Sequence, residues 1–184
     1  AVLPIDSGYI ICANHLSNFD YLWLSINFKK ERFSKFCCMA KKELFKKSPF
    51  SKRLTRVCGM IPVDRGNINV SLMQRCKTML ADKWGLLIHP EGTRSDDGNL
   101  GVLKEGAAQL AIDSNVPIIP AYINGAYEVY PKGKKLPKFF NFRKMRKYPI
   151  EVSYGEPIYP ADMTAQQLTT LVEDAMKSLC TVKV

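Results

Sequence analysis

The 184-residue chain lacks any run approaching the roughly 18 apolar residues of a transmembrane helix. Its longest apolar stretches, such as 84–88 and 117–123, are of strand length, so the chain as given does not cross a bilayer by a helix. It has no C-x-x-C pair among its six cysteines (12, 37, 38, 58, 76 and 180), and only His15 and His89 stand ready to complete a metal set. That argues against a structural zinc site. No secretory signal precedes the cysteines, which are read as reduced, mostly buried small apolar residues. Neither G-x-x-x-x-G-K-[ST] nor G-x-G-x-x-G occurs, which leaves nucleotide binding by the usual glycine loops without support. Internal repeats and low-complexity linkers are missing too, and with 46% hydrophobic residues the chain is no disordered tail.

What is present in excess is positive charge, 27 Lys and Arg against 17 Asp and Glu, for a net +10. Such a balance points to an anionic partner. The charge is concentrated in two blocks: residues 29–56 carry 11 basic and 2 acidic side chains, and residues 131–147 carry 8 basic and none acidic. Everywhere else acidic residues predominate, 15 against 8.

Short apolar runs at Tyr9–Ala13, 36–40, 60–63, Gly85–Ile88, 117–123 and 150–154 read as strands, near-continuously apolar as strands covered on both faces should be. Between them lie helical periods. Leu72, Met73, Cys76, Met79 and Leu80 form one stripe, behind a cap at Asn67 or Asn69. A last helix begins at Thr164, where Thr164 and Gln167 fit a capping box, and Leu168, Leu171, Val172, Ala175, Met176 and Leu179 follow at helical spacing. The alternation implies an α/β fold, a mostly parallel central sheet flanked by helices, built as one domain over residues 1–184.

In such a sheet, chemistry collects in the loops at the carboxyl ends of the strands. Three of those loops are polar: Asn14 to Asp20, Asp64 to Asn67 and His89 to Ser95, all expected to face one crevice. His15 and Asp20 stand five apart, which on a continuous helix separates side chains by about 140°. They meet only if the chain turns, and Ser17 and Asn18 are turn formers. With that turn, Asp20 fixes one imidazole nitrogen and leaves the other as a general base. The competing reading makes Asp20 a cap and His15 an ordinary loop residue.

Glu91, Gly92, Thr93 and Arg94 combine a glycine that admits close approach, a hydroxyl, and a guanidinium suited to phosphate. Arg65 sits in a second glycine-containing turn, so Arg65 and Arg94 suggest a phosphate clamp. Against this stands pairing of Arg94 with Asp96 or Asp97 and of Arg65 with Asp64. His89 reads as a supporting residue and not a second base. A Cys12–His15 hydrolase pair is disfavoured, since a thiol inside an apolar strand is inert.

Four motifs in order, Asn14-His15 with Asp20, the stretch from Gly59 to Arg65, the stretch from Pro90 to Ser95, and the stretch from Val116 to Pro120, resemble those of the PlsC-like glycerolipid acyltransferases. They cover roughly residues 10–121, and Gly155-Glu156-Pro157-Ile158 is similar to the family's end. The resemblance implies acyl transfer from acyl-CoA or acyl-carrier protein to a hydroxyl of a glycerol phosphate lipid. It implies His15 as base, Asp20 as its orienting partner, and Arg65, Glu91, Gly92, Thr93 and Arg94 as the acceptor site. It implies no metal and no bound cofactor, because a thioester is already activated. Lysophosphatidic acid is the leading acceptor, ahead of glycerol 3-phosphate, another lysophospholipid or an amino-lipid. His89 departs from the family, which often has Phe there, and the domain is expected to lack the N-terminal membrane-associating segment common in the family.

The basic blocks interleave with aromatics, Phe28, Phe33, Phe45 and Phe50 in or beside the first and Phe139, Phe140, Phe142 and Tyr148 in or beside the second. They resemble surfaces that dock on anionic lipid headgroups, with part of the charge available to an acidic acyl-carrier protein. A peripheral protein on the cytoplasmic face of the membrane is the expectation, in an oligomeric state the sequence leaves open. An RNA-binding module finds no accompanying motif, and no nucleic-acid partner is expected. A third reading, a lipid-binding protein with a dead site, would show as a lost His15 or Asp20, and both are present.

Overall fold

The computed structural model describes residues 4, 6–26, 28–45, 53, 60–63, 70–134, 136–141 and 145–181. Strand β1 (Tyr9–Ala13) is buried along its whole length. It pairs in parallel with β4 (Gly85–Ile88) on one side and with β5 (Ile118–Asn124) on the other. Beyond β4 come β2 (Phe36–Lys41) and β3 (Ile61–Val63), also parallel, and beyond β5 comes β8 (Glu151–Tyr154). The six strands lie in the order β3-β2-β4-β1-β5-β8.

Alternate residues of each strand point to opposite faces, which gives the sheet two cores. Ile10, Cys12, Leu86 and Ile118 face α3 (Val70–Ala81), α4 (Gly106–Ser114) and α6 (Ala165–Ser178), through Cys76, Leu80, Leu110, Ala111, Leu168, Val172 and Met176. Tyr9, Ile11, Leu87, Ile119 and Ile123 face the side covered by α1 (Asp20–Ser25), with Tyr21 and Leu24, and by Ala126 of α5 (Ala126–Val129). Each fully buried Ile or Leu contributes about 1.5–3 kcal/mol. A short helix α2 (Lys30–Ser34) leads into β2, and two-residue strands β6 (Phe140–Asn141) and β7 (Arg146–Lys147) pair antiparallel apart from the main sheet.

The α/β class, the central sheet and its mostly parallel sense agree with the sequence reading. The capping box forms both its bonds, Thr164 N–H to Gln167 Oε1 at 2.8 Å and Gln167 N–H to Thr164 Oγ1 at 3.2 Å. Two points differ. The last strand is antiparallel to β5 and lies at the sheet edge, so its residues are partly exposed and not covered on both faces. Helix α4 stands between two strands as the alternation expects but lacks the wide apolar stripe of α3 and α6, because its buried residues are mostly alanine (Ala107, Ala108, Ala111). The expected caps Asn67 and Asn69 lie outside the described residues.

Candidate active site

Because β1 and β4 are parallel neighbours, with Cys12 opposite Ile88, the chain leaves both strands at the same end of the sheet. The loop after β1 and the loop after β4 are therefore side by side. The two loops are tied together directly: Ser95 N–H donates to the His15 carbonyl at 2.8 Å, and His15 N–H donates to Glu91 Oε1 at 2.8 Å.

After Ala13 the chain stops pairing through its backbone, and the Asn14 side chain continues the ladder instead. Its Nδ2 donates to the Ile123 carbonyl at 3.1 Å and its Oδ1 accepts from Ile123 N–H at 2.8 Å. This fully buried amide locks the start of the loop onto β5. The turn that follows is organised around one carboxylate. Asp20, the first residue of α1 and 1% exposed, accepts from Leu16 N–H (2.8 Å), Ser17 N–H (3.0 Å) and Ser17 Oγ (2.8 Å). Ser17 Oγ in turn accepts from Phe19 N–H at 3.1 Å.

That turn brings His15 Nδ1 to 2.9 Å from Asp20 Oδ2. An ionised carboxylate only accepts, so Nδ1 carries the proton and donates, and the lone pair is left on Nε2. The His15 side chain is 15% exposed, open enough to meet a substrate. The structure thus makes the predicted pair and makes it through Ser17.

The second loop is framed by Glu91. Its two carboxylate oxygens accept from His15 N–H at 2.8 Å and from Gly101 N–H at 2.9 Å. Burial pushes the Glu91 carboxyl upward, against the opposing effect of those two amides. Gly92 has φ of +74°, and a Cβ added there would stand 3.1 Å from Lys104 Nζ. The position favours glycine, and the Lys104 side chain lies across it. Thr93 is exposed and Arg94 partly buried. The expected partners of Arg94 are engaged elsewhere: Asp96 pairs with Lys132 at 2.8 Å, and Asp97 accepts from Ser95 Oγ and the Asn99 side chain. Among the described residues neither the Arg94 guanidinium nor the Lys104 ammonium forms an ion pair. Arg65 lies outside the described residues; β3, which precedes it, runs parallel to β2, so the chain leaves β3 at the same end of the sheet.

His89 stacks on His15, with ring centroids 4.1 Å apart and planes 9° from parallel. Its Nδ1 lies 2.9 Å from the Ala13 carbonyl and donates to it. Burial and the neighbouring His15 push its pKa down to about 4, so at neutral pH the ring is uncharged. One ligand atom from each of His15, His89 and Asp20 lies within 4.8 Å of the others, the spacing of a metal cluster. An imidazole binds an ion in the plane of its ring, however, and two rings stacked nearly parallel cannot share one. Cys12 is buried in β1 with its thiol pushed up to about 12, which disposes of a Cys-His pair.

Sequence reasoning missed Lys104 and the tethering roles of Asn14 and Glu91. It also missed an apolar pocket of about 530 Å³ beginning at Phe19, the residue before Asp20, and lined further by Leu22, Trp23, Ile26, Phe28, Phe33 and Phe139. Its size falls within the ~300–1,000 Å³ of small-molecule sites. The aromatic spacing was the available signal.

The sequence profile of the Acyltransferase family matches residues 2–124. A 1-acyl-sn-glycerol-3-phosphate acyltransferase of Limnanthes alba is 33% identical over 138 residues, 73% of this chain and 46% of that protein. The protein of the same name from Bacillus subtilis is 31% identical over 160 residues, 87% of this chain and 71% of that protein. The chain thus spans about half the length of its plant relative. The crystal structure of the 1-acyl-sn-glycerophosphate (LPA) acyltransferase PlsC from Thermotoga maritima superposes with a TM-score of 0.74 at 25% identity, over 96% of this chain and 66% of that one.

Proposed function

The chain belongs to the acyltransferase family, and within it we propose an O-acyltransferase that moves a fatty acyl group from a thioester, acyl-CoA or acyl-carrier protein, to the free hydroxyl of 1-acylglycerol 3-phosphate, giving phosphatidic acid. The observation that carries this reading is the His15–Asp20 pair, joined through the His15 backbone to a loop that carries Arg94 and has the Lys104 side chain across Gly92, two cations that form no ion pair among the described residues.

An alcohol is a poor nucleophile at neutral pH. His15 Nε2 takes its proton as the oxygen attacks the thioester carbonyl, an effect typically worth about 10²–10⁴-fold. The Asp20 carboxylate steadies the imidazolium that forms. The C–S bond of the tetrahedral intermediate then breaks, the thiolate leaves and His15 returns the proton to sulfur. The new C–O bond is the ester, and no acyl-enzyme intermediate is required. Arg94 and Lys104, with Arg65 and the Thr93 hydroxyl, hold the phosphate monoester of the acceptor, and Glu91 and Gly92 frame that site.

The apolar pocket that begins at Phe19, the residue before Asp20, receives a fatty chain. Of its lining, Leu22, Ile26 and Phe139 are exposed, and Lys29 and Lys138, the sequence neighbours of the lining residues Phe28 and Phe139, are at the surface. This face suits an anionic bilayer, at about 1 kcal/mol per basic residue close to the headgroups. We place the protein peripherally on the cytoplasmic face of the membrane.

The test is an assay of the purified protein against a panel of lysolipids and glycerol 3-phosphate, with acyl-CoA and acyl-carrier protein as alternative donors. Turnover of lysophosphatidic acid above all other acceptors is expected. Preference for an acceptor without phosphate would overturn the assignment.

A further inference from the structure

We propose that His89 is a positioning residue for the catalytic base: the flat face of its imidazole holds the plane of the His15 ring. The inference rests on the reading of His15 as the base and adds a residue to that machinery.

A histidine ring turns about two single bonds. The Asp20 bond anchors His15 at one atom, Nδ1, and leaves the ring free to rock about that anchor, which would swing Nε2 away from the hydroxyl it must deprotonate. The second constraint is the His89 ring, 4.1 Å away and 9° from parallel, which closes one face against rocking. His89 is itself held at two points. Its backbone directly follows β4, whose Ile88 is in register with Cys12 of β1, and its Nδ1 donates to the carbonyl of Ala13, the last residue of β1. The stack thus rests on a residue anchored directly at the end of the sheet ladder.

The ring chemistry fits the task. A charged ring stacked on the base would oppose the imidazolium that forms during turnover. His89 has its one proton committed to Ala13, and burial keeps it uncharged at neutral pH. The carboxylates of Asp20 and Glu91 both bind the 15–17 backbone, so the imidazolium that forms on His15 has carboxylates close by and an uncharged ring stacked on its face.

The decisive comparison is His89→Phe against His89→Leu. Both fill the space, and only Phe offers a flat face. With folding verified by thermal melting, H89F should keep kcat within about threefold, while H89L loses about ten- to a hundredfold in kcat with little change in either KM. Crystal structures of the two variants read the ring directly and need no substrate, so a wrong acceptor assignment cannot be mistaken for a failure here. His15 should keep its plane in H89F and rotate, or split into two conformers, in H89L. An unmoved His15 ring in H89L, or an H89L kcat equal to that of H89F, would overturn the proposal.

Discussion

Asp20 Oδ2 lies 2.9 Å from His15 Nδ1 and at the same time accepts the Leu16 amide at 2.8 Å, so the group that orients the base also builds the turn that delivers it. Every donor around this carboxylate expects an acceptor. In Asp20→Asn one oxygen becomes an NH₂ that must face a donor, and the His15 tautomer is no longer enforced. Turnover should fall by about 10²–10⁴-fold, as it should for His15→Ala, but with D20N also lowering the melting temperature. Steady-state rates and melts of both variants check this, and H15A with normal rates would remove the mechanism.

Glu91 is expected to act on structure and catalysis together. Glu91→Gln keeps one carbonyl oxygen for two backbone donors, His15 N–H and Gly101 N–H. One donor loses its partner, at a cost of about 1–3 kcal/mol. Urea unfolding should show that loss, accompanied by a lower kcat because the His15 backbone is no longer held. Wild-type stability in E91Q would show that the two bonds are dispensable.

Arg94→Ala and Lys104→Ala should separate the two substrates. Each is expected to raise the KM for the phosphorylated acceptor by about tenfold, the scale of one charge-assisted bond, and to leave the KM for the acyl donor nearly unchanged. Equal rises in both constants would show that these cations serve the scaffold or the donor.

His89 makes a pH prediction. Its pKa is 6.5 in a model peptide and about 4 in the fold, so between these values the unfolded chain holds a proton that the folded chain does not. Stability therefore rises with pH across this window and falls as the pH drops from about 6.5 towards about 4, by up to about 1.4 kcal/mol per pH unit from this group. H89F lacks the group, and its urea-derived stability should decline less between pH 6.5 and 4.5 than that of the wild type. Parallel declines would exclude His89 as the source.

What was legible in the sequence is what short range encodes. The five-residue spacing of His15 and Asp20 with a Ser between them, the capping box at Thr164 and Gln167, and the apolar strands could all be read because each is settled within a few neighbouring residues. The rest depends on register. His15 meets His89, and Glu91 meets the His15 amide, only because β1 and β4 pair in parallel with Cys12 opposite Ile88, across 76 residues in the second case. Lys104 reaches Gly92 because its own amide donates to the Pro90 carbonyl at 3.0 Å, a return of the chain that no spacing rule announces. The edge strand β8 carries too few apolar residues to reveal its direction.

The Gly101 amide, by returning to Glu91, closes residues 91–101 into a loop fastened at its own base. Its far tip is fastened separately, by Tyr127 Oη donating to the Asp96 carbonyl and by Lys132 on the Asp96 carboxylate. Between the two, Ser95 Oγ donates to Asp97 and accepts from Gly98 N–H while the Ser95 amide holds the His15 carbonyl. The tip and the base of this loop are therefore one bonded unit, and new acceptor contacts grafted at Asp97 or Gly98 would also move the backbone that carries the base.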